Sequence, residues 1–448
     1  MTGLSADAGA TSGPAHKVKS TVSTVGGHEI GYPHGHVGHL NHEEEAALRG
    51  FKALLAEHGL YQAGPPPSHD DQTLVRFLRA RRWVAQDAYK QFKDTEDWRK
   101  ANNLDVLYDT IDVEAYEQSR RLYPQWTGRR DRRGIPLYLF EIRHLDSKSV
   151  SAYEKSAENT YSKAHVDGKT PPKLLRLFAL YENLTRFAQP LCTQLPDRDH
   201  PTTPITLSTN IVDVTGVSLR QFWNLKAHMQ AASTLATAHY PETLDRIFII
   251  GAPYFFSTVW GWIKRWFDPI TVSKIFILPA HEVKATLEEF IDPKNIPAAY
   301  GGELDFKFGQ LPKQDPFIKE RAEWANGYTD FPTGPLYWRP VEGDPSRLEC
   351  LAVGSVNQVE RRARVCTIPK SFPAEVKAEE PEVAAEDVEK TLTPGAGEPV
   401  PSTEAVAEIN KAVQSLEIAD KSEDASKISE KVAQVEAEAK AAPTTASA

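Results

Sequence analysis

The chain has only three cysteines, Cys192, Cys350 and Cys366, widely spaced and without a CxxC pair. That excludes a disulfide scaffold and a zinc knuckle and fits a reducing compartment. Its first residues, MTGLSADAGATSGPAHK, lack an apolar core, so no secretory signal is expected. The sequon Asn183-Leu184-Thr185 is accordingly read as unused. No GxSxG, GxxxxGK[ST], HExxH or GxGxxG motif occurs, and Ser, His and Asp fall in no spacing that singles out a triad. An enzyme is therefore not expected. A basic excess is missing too. Residues 370–448 carry 17 acidic and 8 basic side chains, so the whole net charge of −9 sits there, and residues 1–369 balance at 44 of each. That balance excludes a nucleic-acid binder of the usual kind. Nor is there an uninterrupted run fit to span a bilayer. The 17 residues between Arg246 and Lys264 are uncharged, but Gly251 and Pro253 break them, and a helix-interior Pro costs about 3 kcal/mol.

What is present in that run is informative. Ile247 to Ile250 is a short run of β-formers suited to a strand buried on both faces. Phe255 to Phe267 then reads as a helix with Phe256, Val259, Ile263 and Trp266 on one face, while Phe255, Trp260, Trp262 and Phe267 widen the apolar arc. Such a helix is either a core helix or one that hides one side and offers the other to something apolar. Aromatics followed by Lys264 and Arg265 suit a lipid interface, where rings sit at headgroup depth and cations meet anionic lipid.

The rest of the chain has an ordered middle between two tails. Residues 1–37 read as a disordered tail. His28, His34, His36, His39 and His42 raise a metal reading, but no Cys or carboxylate constellation fixes a geometry, and no metal is assigned. Order is expected from Asn41, an N-cap with Glu44 three residues on. Residues 38–110 read as an all-helical subdomain, with Leu48, Phe51, Leu54 and Leu55, then Leu74, Phe77 and Leu78, then Tyr89, Phe92 and Trp98 as buried stripes. Over 111–310 strands at Ile135–Ile142, Thr206–Val214, Arg246–Ile250 and Lys274–Leu278 alternate with helices, which implies a largely parallel, covered sheet. Residues 311–369 are Pro-rich and read as an irregular extension. Residues 370–448 are Ala-, Glu-, Pro-, Ser- and Thr-rich without Trp or Tyr, and read as a disordered acidic tail. Two charged residues stand in apolar settings: Glu242 precedes a buried strand and Lys274 opens another. Buried charges are paired or serve a ligand, and spacing alone leaves both roles open.

DQTLVRFLRARRW, IVDVTG, HYPETLDRIFIIGAP, FDPITVSKIFIL and IPAAYGGELD occur in the order and spacing of the CRAL-TRIO lipid-binding family. Over residues 38–310 the chain resembles the fungal phosphatidylinositol/phosphatidylcholine transfer proteins within it. The resemblance implies an α/β lipid-binding domain with a mostly parallel sheet and a deep apolar cavity, preceded by a small helical subdomain and closed by a mobile gate helix, here Phe255 to Phe267. It places the phosphatidylinositol headgroup at Arg81, Arg82, Glu242, Thr271 and Lys274. Cations and a hydroxyl would meet the phosphodiester, and a carboxylate would accept from inositol hydroxyls. Around the second lipid it implies Tyr181, Phe187, Ser208 and Asn210. Asn210 stands where the family has Thr and Phe187 where it has Tyr, so this lipid is either phosphatidylcholine or another molecule such as a sterol.

The implied activity is lipid exchange without a cofactor, by a cytoplasmic protein in peripheral contact with a Golgi or endosomal membrane. Lipid kinases are candidate partners. A diacyl lipid has on the order of 30 methylenes, so extraction into water would cost roughly 25 kcal/mol. The cavity must therefore stay sealed in transit, with Gly251, Pro253, Gly261 and Pro269 placed where a gate could hinge. Competing classes are a carrier or sensor for a non-phospholipid ligand, and a scaffold whose acidic tail recruits partners.

Overall fold

The computed structural model describes residues 23–25, 28–256, 260, 261, 264 and 269–371. A short hairpin, β1 (Ser23–Val25) with β2 (His28–Ile30), precedes the helices. Helix α1 (His42–Glu57) begins with a reciprocal capping box. Asn41 accepts from the Glu44 amide at 2.9 Å, and the Glu44 carboxylate accepts from the Asn41 amide at 3.0 Å. Helices α2 (Asp71–Ala80) and α3 (Ala85–Ala101) pack on α1 through Phe51, Leu55, Leu74, Phe77, Leu78 and Phe92. Each such side chain stabilises the subdomain by about 1.5–3 kcal/mol. Helices α4 (Leu104–Thr110) and α5 (Val113–Leu122) lead into the main sheet.

The main sheet has five strands in the order β3 (Gln125–Arg130), β4 (Pro136–Glu141), β5 (Ser208–Asp213), β6 (Leu244–Ile250), β7 (Ile275–Leu278). Strands β4 to β7 are parallel; β3 is antiparallel to β4. Register aligns Tyr138, Asn210, Ile247 and Ile275 across the strands. Because side chains alternate, Leu137, Leu139, Ile211, Phe248 and Ile250 face one layer, with α11 (Val283–Phe290) and the 291–306 segment. The other face meets α6 (Ser147–Ala157), α7 (Pro172–Asn183) and α9 (Leu219–His239). Covered on both faces, β4, β6 and β7 carry apolar runs at Leu137–Phe140, Ile247–Ile250 and Ile275–Leu278, whereas β5 buries Ser208, Thr209 and Asn210 ahead of Ile211 and Val212. A π-helical turn, Leu184–Ala188, and α8 (Gln189–Thr193) continue α7. The short helix α10 (Pro269–Ser273) delivers the chain to β7. Among the described residues no helix is long and apolar enough to cross a membrane.

Two expectations are corrected here. The segment 311–369 is not irregular. After α12 (Pro316–Arg321) come β8 (Glu323–Trp324), β9 (Leu336–Val341), β10 (Asp344–Ala352), a two-stranded hairpin of β11 (Ser355–Val356) and β12 (Val359–Glu360), and β13 (Ala363–Pro369). Strands β8, β13, β10 and β9 form an antiparallel sheet in that order. Leu348, Cys350, Cys366 and Ile368 on it pack with Trp126, Phe187 and Leu191 of the main domain. Pro340, Pro345 and Pro369 lie within strands but close to their ends or at the register shift between Asp344 and Leu348, so they did not prevent strand formation. Order also begins before Asn41: Tyr32 and His36 are buried, because the 31–40 segment lies as a strap across the main domain. All three cysteines are buried and free.

Candidate functional site

Strand β6 starts from a tight passage after α9: Tyr240, Pro241, Glu242. Glu242 has φ +54°, a left-handed conformation that a non-glycine residue adopts at a cost of about 1–3 kcal/mol, and such outliers cluster at functional sites. Helix α2 is fastened to the same passage by Arg76, whose Nε donates to the Pro241 carbonyl at 3.0 Å. One turn along the same helix face, Arg79 Nη2 donates to Glu242 Oε2 at 3.1 Å. From the other side comes Lys274, the residue between α10 and β7. Its Nζ donates to the Leu244 carbonyl at 3.0 Å and lies 3.5 Å from Glu242 Oε2. Burial pushes the Glu242 carboxyl up; Lys274 and Arg79 more than offset that and hold it at about 2. The result is a buried carboxylate flanked by a guanidinium and an ammonium, a pairing of donors and acceptor suited to a phosphate and its hydroxylated headgroup.

The headgroup positions are thus only partly gathered. Glu242 and Lys274 are in contact, and Thr271 lies one turn before Lys274, accepting from the Lys274 amide through its carbonyl at 3.1 Å. Arg81 is the residue after the end of α2. Burial pulls its guanidinium value down, with Asp87 and Asp94 opposing. Arg82 is exposed and has φ +49°. The guanidinium that meets Glu242 is instead Arg79, which sequence reasoning did not single out. The signal was there: Arg76 and Arg79 are three apart on one helix face, whereas Arg81 and Arg82 lie past the helix end.

The strap adds residues that sequence reasoning gave to a tail. Arg79 Nη1 donates to the carbonyls of His34 at 3.0 Å and Gly35 at 3.1 Å, and lies 3.2 Å from His36 Nδ1. Gly35 has φ +66°, and a Cβ there would meet Arg79 Nη1 at 3.0 Å, so glycine lets the strap run close over the guanidinium. Burial, then Arg79, holds His36 well below the ordinary histidine value, so its ring is neutral. Farther along, Arg198 Nη1 donates to the Tyr32 hydroxyl at 2.6 Å, anchoring the strap's start.

The second-lipid positions divide into two settings. Ser208 Oγ donates to the Thr243 carbonyl at 3.0 Å, and Asn210 Nδ2 donates to Ser208 Oγ at 3.1 Å, so these two form one polar unit on β5. Tyr181 lies among the rings of Phe178 and Tyr240, with its phenol pushed up to about 12 by burial. Phe187 packs edge-on to Trp126 and Phe331 and parallel to Trp338. It sits in the apolar cluster shared by the main domain and the C-terminal sheet.

Of the gate positions, Phe255 and Phe256 are buried in the layer under α9, Trp260 is half-buried against it, and Lys264 is exposed. Val259, Trp262, Ile263, Arg265, Trp266 and Phe267 lie outside the described residues. Beneath Phe255 and Phe256 is an apolar cavity of about 30 Å³, lined also by Phe222, Leu225, Met229 and Pro253. It has room for about one or two waters, not for an acyl chain.

The model of the CRAL/TRIO domain matches residues 120–302, and that of the CRAL/TRIO N-terminal domain matches residues 47–94. The SEC14 cytosolic factor of Eremothecium gossypii is 31% identical over 274 residues, 60% of this chain and 80% of that protein. The Sec14 cytosolic factor of Schizosaccharomyces pombe is 30% identical over 296 residues, 66% of this chain and 94% of that protein. A phosphatidylinositol/phosphatidylcholine transfer protein of Arabidopsis thaliana is 30% identical over 285 residues, 62% of this chain and 45% of that protein. Matched by both domain models and along most of the length of two fungal relatives, the chain belongs to the CRAL/TRIO family.

Proposed function

We propose that this protein is a non-enzymatic phosphatidylinositol-binding lipid transfer protein. It would exchange a phospholipid between membranes through an apolar cavity closed by the Phe255–Phe267 segment. The observation that carries this reading is the buried Glu242 carboxylate at positive φ, held between Lys274 and Arg79. A charge in such a place is paired for structure or kept for a ligand, and backbone strain at the same residue favours the ligand. The name of the Arabidopsis relative, a phosphatidylinositol/phosphatidylcholine transfer protein, supports the lipid class. The name cytosolic factor borne by the fungal relatives supports a cytoplasmic protein. In the same proposal it would make peripheral contact with a Golgi or endosomal membrane, with lipid kinases as candidate consumers of the presented lipid. The ligand is lipid alone, with no cofactor or metal. Acyl chains need more room than the small cavity beneath Phe255 and Phe256 offers, so in this reading the gate would move before they enter. Lys264 and Arg265 would hold the open gate against anionic lipid.

For the second ligand a different reading is favoured by a specific observation. Phe187 offers no hydrogen bond and is spent in packing against Trp126, Phe331 and Trp338. That weakens phosphatidylcholine and favours a less polar molecule such as a sterol. The decisive experiment is vesicle-to-vesicle transfer of phosphatidylinositol by wild type and Lys274→Ala, followed by mass spectrometry of re-isolated protein. Phosphatidylinositol transfer by wild type that drops at least tenfold in the variant is the expected outcome. Equal transfer by both overturns the headgroup assignment. No transfer by wild type, with another hydrophobic molecule bound, leaves the carrier reading.

A further inference from the structure

The strap over Arg79 is built on imidazoles that fit only when neutral. His36 Nδ1 lies 3.0 Å from the His34 carbonyl oxygen, which only accepts, so the ring's hydrogen is on Nδ1. A further proton can enter only at Nε2. That atom is buried and has no partner among the described residues, and His36 is 2% exposed. Arg79 Nη1 donates to the His34 and Gly35 carbonyls and stands 3.2 Å from His36 Nδ1. Two donor nitrogens that close are tolerable while the ring is neutral and repel once it is a cation. The other charged groups around the ring are Glu242 and Asp245 of β6, Lys274 behind Glu242, and Glu44 of α1 beside Gly35. The two β6 acids favour a proton on His36, but burial and Arg79 outweigh them. A second imidazole contact fastens the far end of the strap. The rings of His39 and His200 meet edge to face with centroids 5.1 Å apart. Burial, then His200 and His34, lowers the His39 value. His200 lies two residues past Arg198, which holds Tyr32, and the Tyr32 ring is edge-on to both His36 and His200. The Tyr32 phenol is pushed up to about 12 by burial and does not titrate near neutrality.

We propose that residues 31–40 form a proton-released latch over Arg79, which lifts when its imidazoles take up protons and so frees the Arg79 guanidinium, beside Glu242, for a ligand. Histidine is the side chain suited to this, since its charge changes near neutral pH. The sign follows from linkage. A histidine that is harder to protonate in the closed strap than in the open one stabilises closure above its open-state value of about 6.5, and loses that contribution as pH falls below it. For His36 alone the open-to-closed ratio then approaches about a tenfold rise per pH unit, and His39 steepens it. On release Arg79 Nη1 loses two carbonyl acceptors. A phosphodiester, which keeps its single charge throughout this range, can replace them. That consequence rests on the reading of the Glu242 cluster as a headgroup site.

The test follows amide hydrogen exchange of the full-length protein against pH, corrected for the intrinsic exchange rate. The His36 and His39 amides, bonded to the Pro33 and His36 carbonyls, report the strap. Helix α1 reports global stability, and ¹⁵N-histidine spectra report the charge on His36. Strap protection in wild type is expected to fall at least tenfold between about pH 7.5 and about pH 5.5, with α1 still protected and His36 gaining its proton in step. His36→Asn keeps a donor near the Nδ1 position and cannot titrate, so its strap should lose less than roughly threefold. Constant protection in wild type, a fall shared by α1, an equal fall in His36→Asn, or release with His36 still neutral overturns the latch. Loading from limiting phosphatidylinositol vesicles then separates the latch from the function. Loading that is faster at the lower pH in wild type, and not in His36→Asn, supports the strap as a cover of the headgroup site. A strap that lifts while loading keeps one rate overturns the link between Arg79 release and the ligand. If the strap lifts as expected and no phosphatidylinositol loads at either pH, the functional reading falls and the proton-driven release stands.

Discussion

Glu242 keeps its charge where burial alone would remove it. Its value is lowered from 4.5 to about 2 because Lys274 and Arg79 outweigh desolvation. A carboxyl whose folded value is depressed stabilises the fold above its unfolded value and loses that contribution as pH falls. For Glu242 the contribution is on the order of 3 kcal/mol at neutral pH, lost between about pH 4.5 and pH 2. Glu242→Gln should therefore flatten the stability profile across that window, measured as urea midpoint against pH beside wild type. A variant profile as steep as wild type's would mean that other acids, such as Asp245 and Glu182, carry the acid sensitivity. At neutral pH the same variant should bind phosphatidylinositol more weakly, since an amide does not match the carboxylate as an acceptor between two cations.

At the scale of elements, the ends of β6 do more than its middle. Gly251 closes the strand with φ +72°, and a Cβ there would meet Thr215 Oγ1 at 1.9 Å. Gly251→Ala should lower stability by about 1–3 kcal/mol through strain and that clash, read as a drop in melting temperature. Wild-type stability in this variant would show that the passage into the gate relaxes freely. The π-helical turn after α7 places Phe187 between the main domain and the C-terminal sheet. Phe187→Ala should cost about 3–5 kcal/mol, as for a large core ring deleted from a closed cluster. A loss under 1 kcal/mol would mean that the aromatic cluster collapses around the gap.

At the scale of the whole molecule, the C-terminal sheet is a wall of the domain rather than an appendage. The Tyr108 hydroxyl donates to the Leu336 carbonyl at 2.6 Å and accepts from its amide at 3.1 Å. Glu117 accepts from the Gly334 amide at 2.8 Å, and Ser355 donates to the Thr110 carbonyl at 2.9 Å. A chain ended after Ala322 would expose Trp126, Phe187 and Leu191, which the sheet now covers. It should melt at lower temperature and bind a hydrophobic dye that the full chain does not. An unchanged melt would mean that the sheet folds as a separate unit.

The sequence by itself determined the alternation of strands and helices over 111–310, the capping box at Asn41, the core stripes of the first three helices and the presence of charge beside buried strands at Glu242 and Lys274. These follow from local period, cap chemistry and the rarity of charge beside buried strands, all of which a linear reading can see. Only the tertiary structure decided the rest. The strands of 323–369 have little of their own pattern to announce them, because the apolar residues of their inner face are defined by docking on Trp126 and Phe187. The strap at Tyr32–His36 looked like a histidine-rich tail because its partners, Arg79 and Arg198, are more than 40 residues away in sequence. Arg79 rather than Arg81 reaches Glu242 because α2 ends at Ala80, and a helix presents a face three or four residues deep, not a run of neighbours. Long-range pairing decided which cation meets which acid, and no local spacing encodes that.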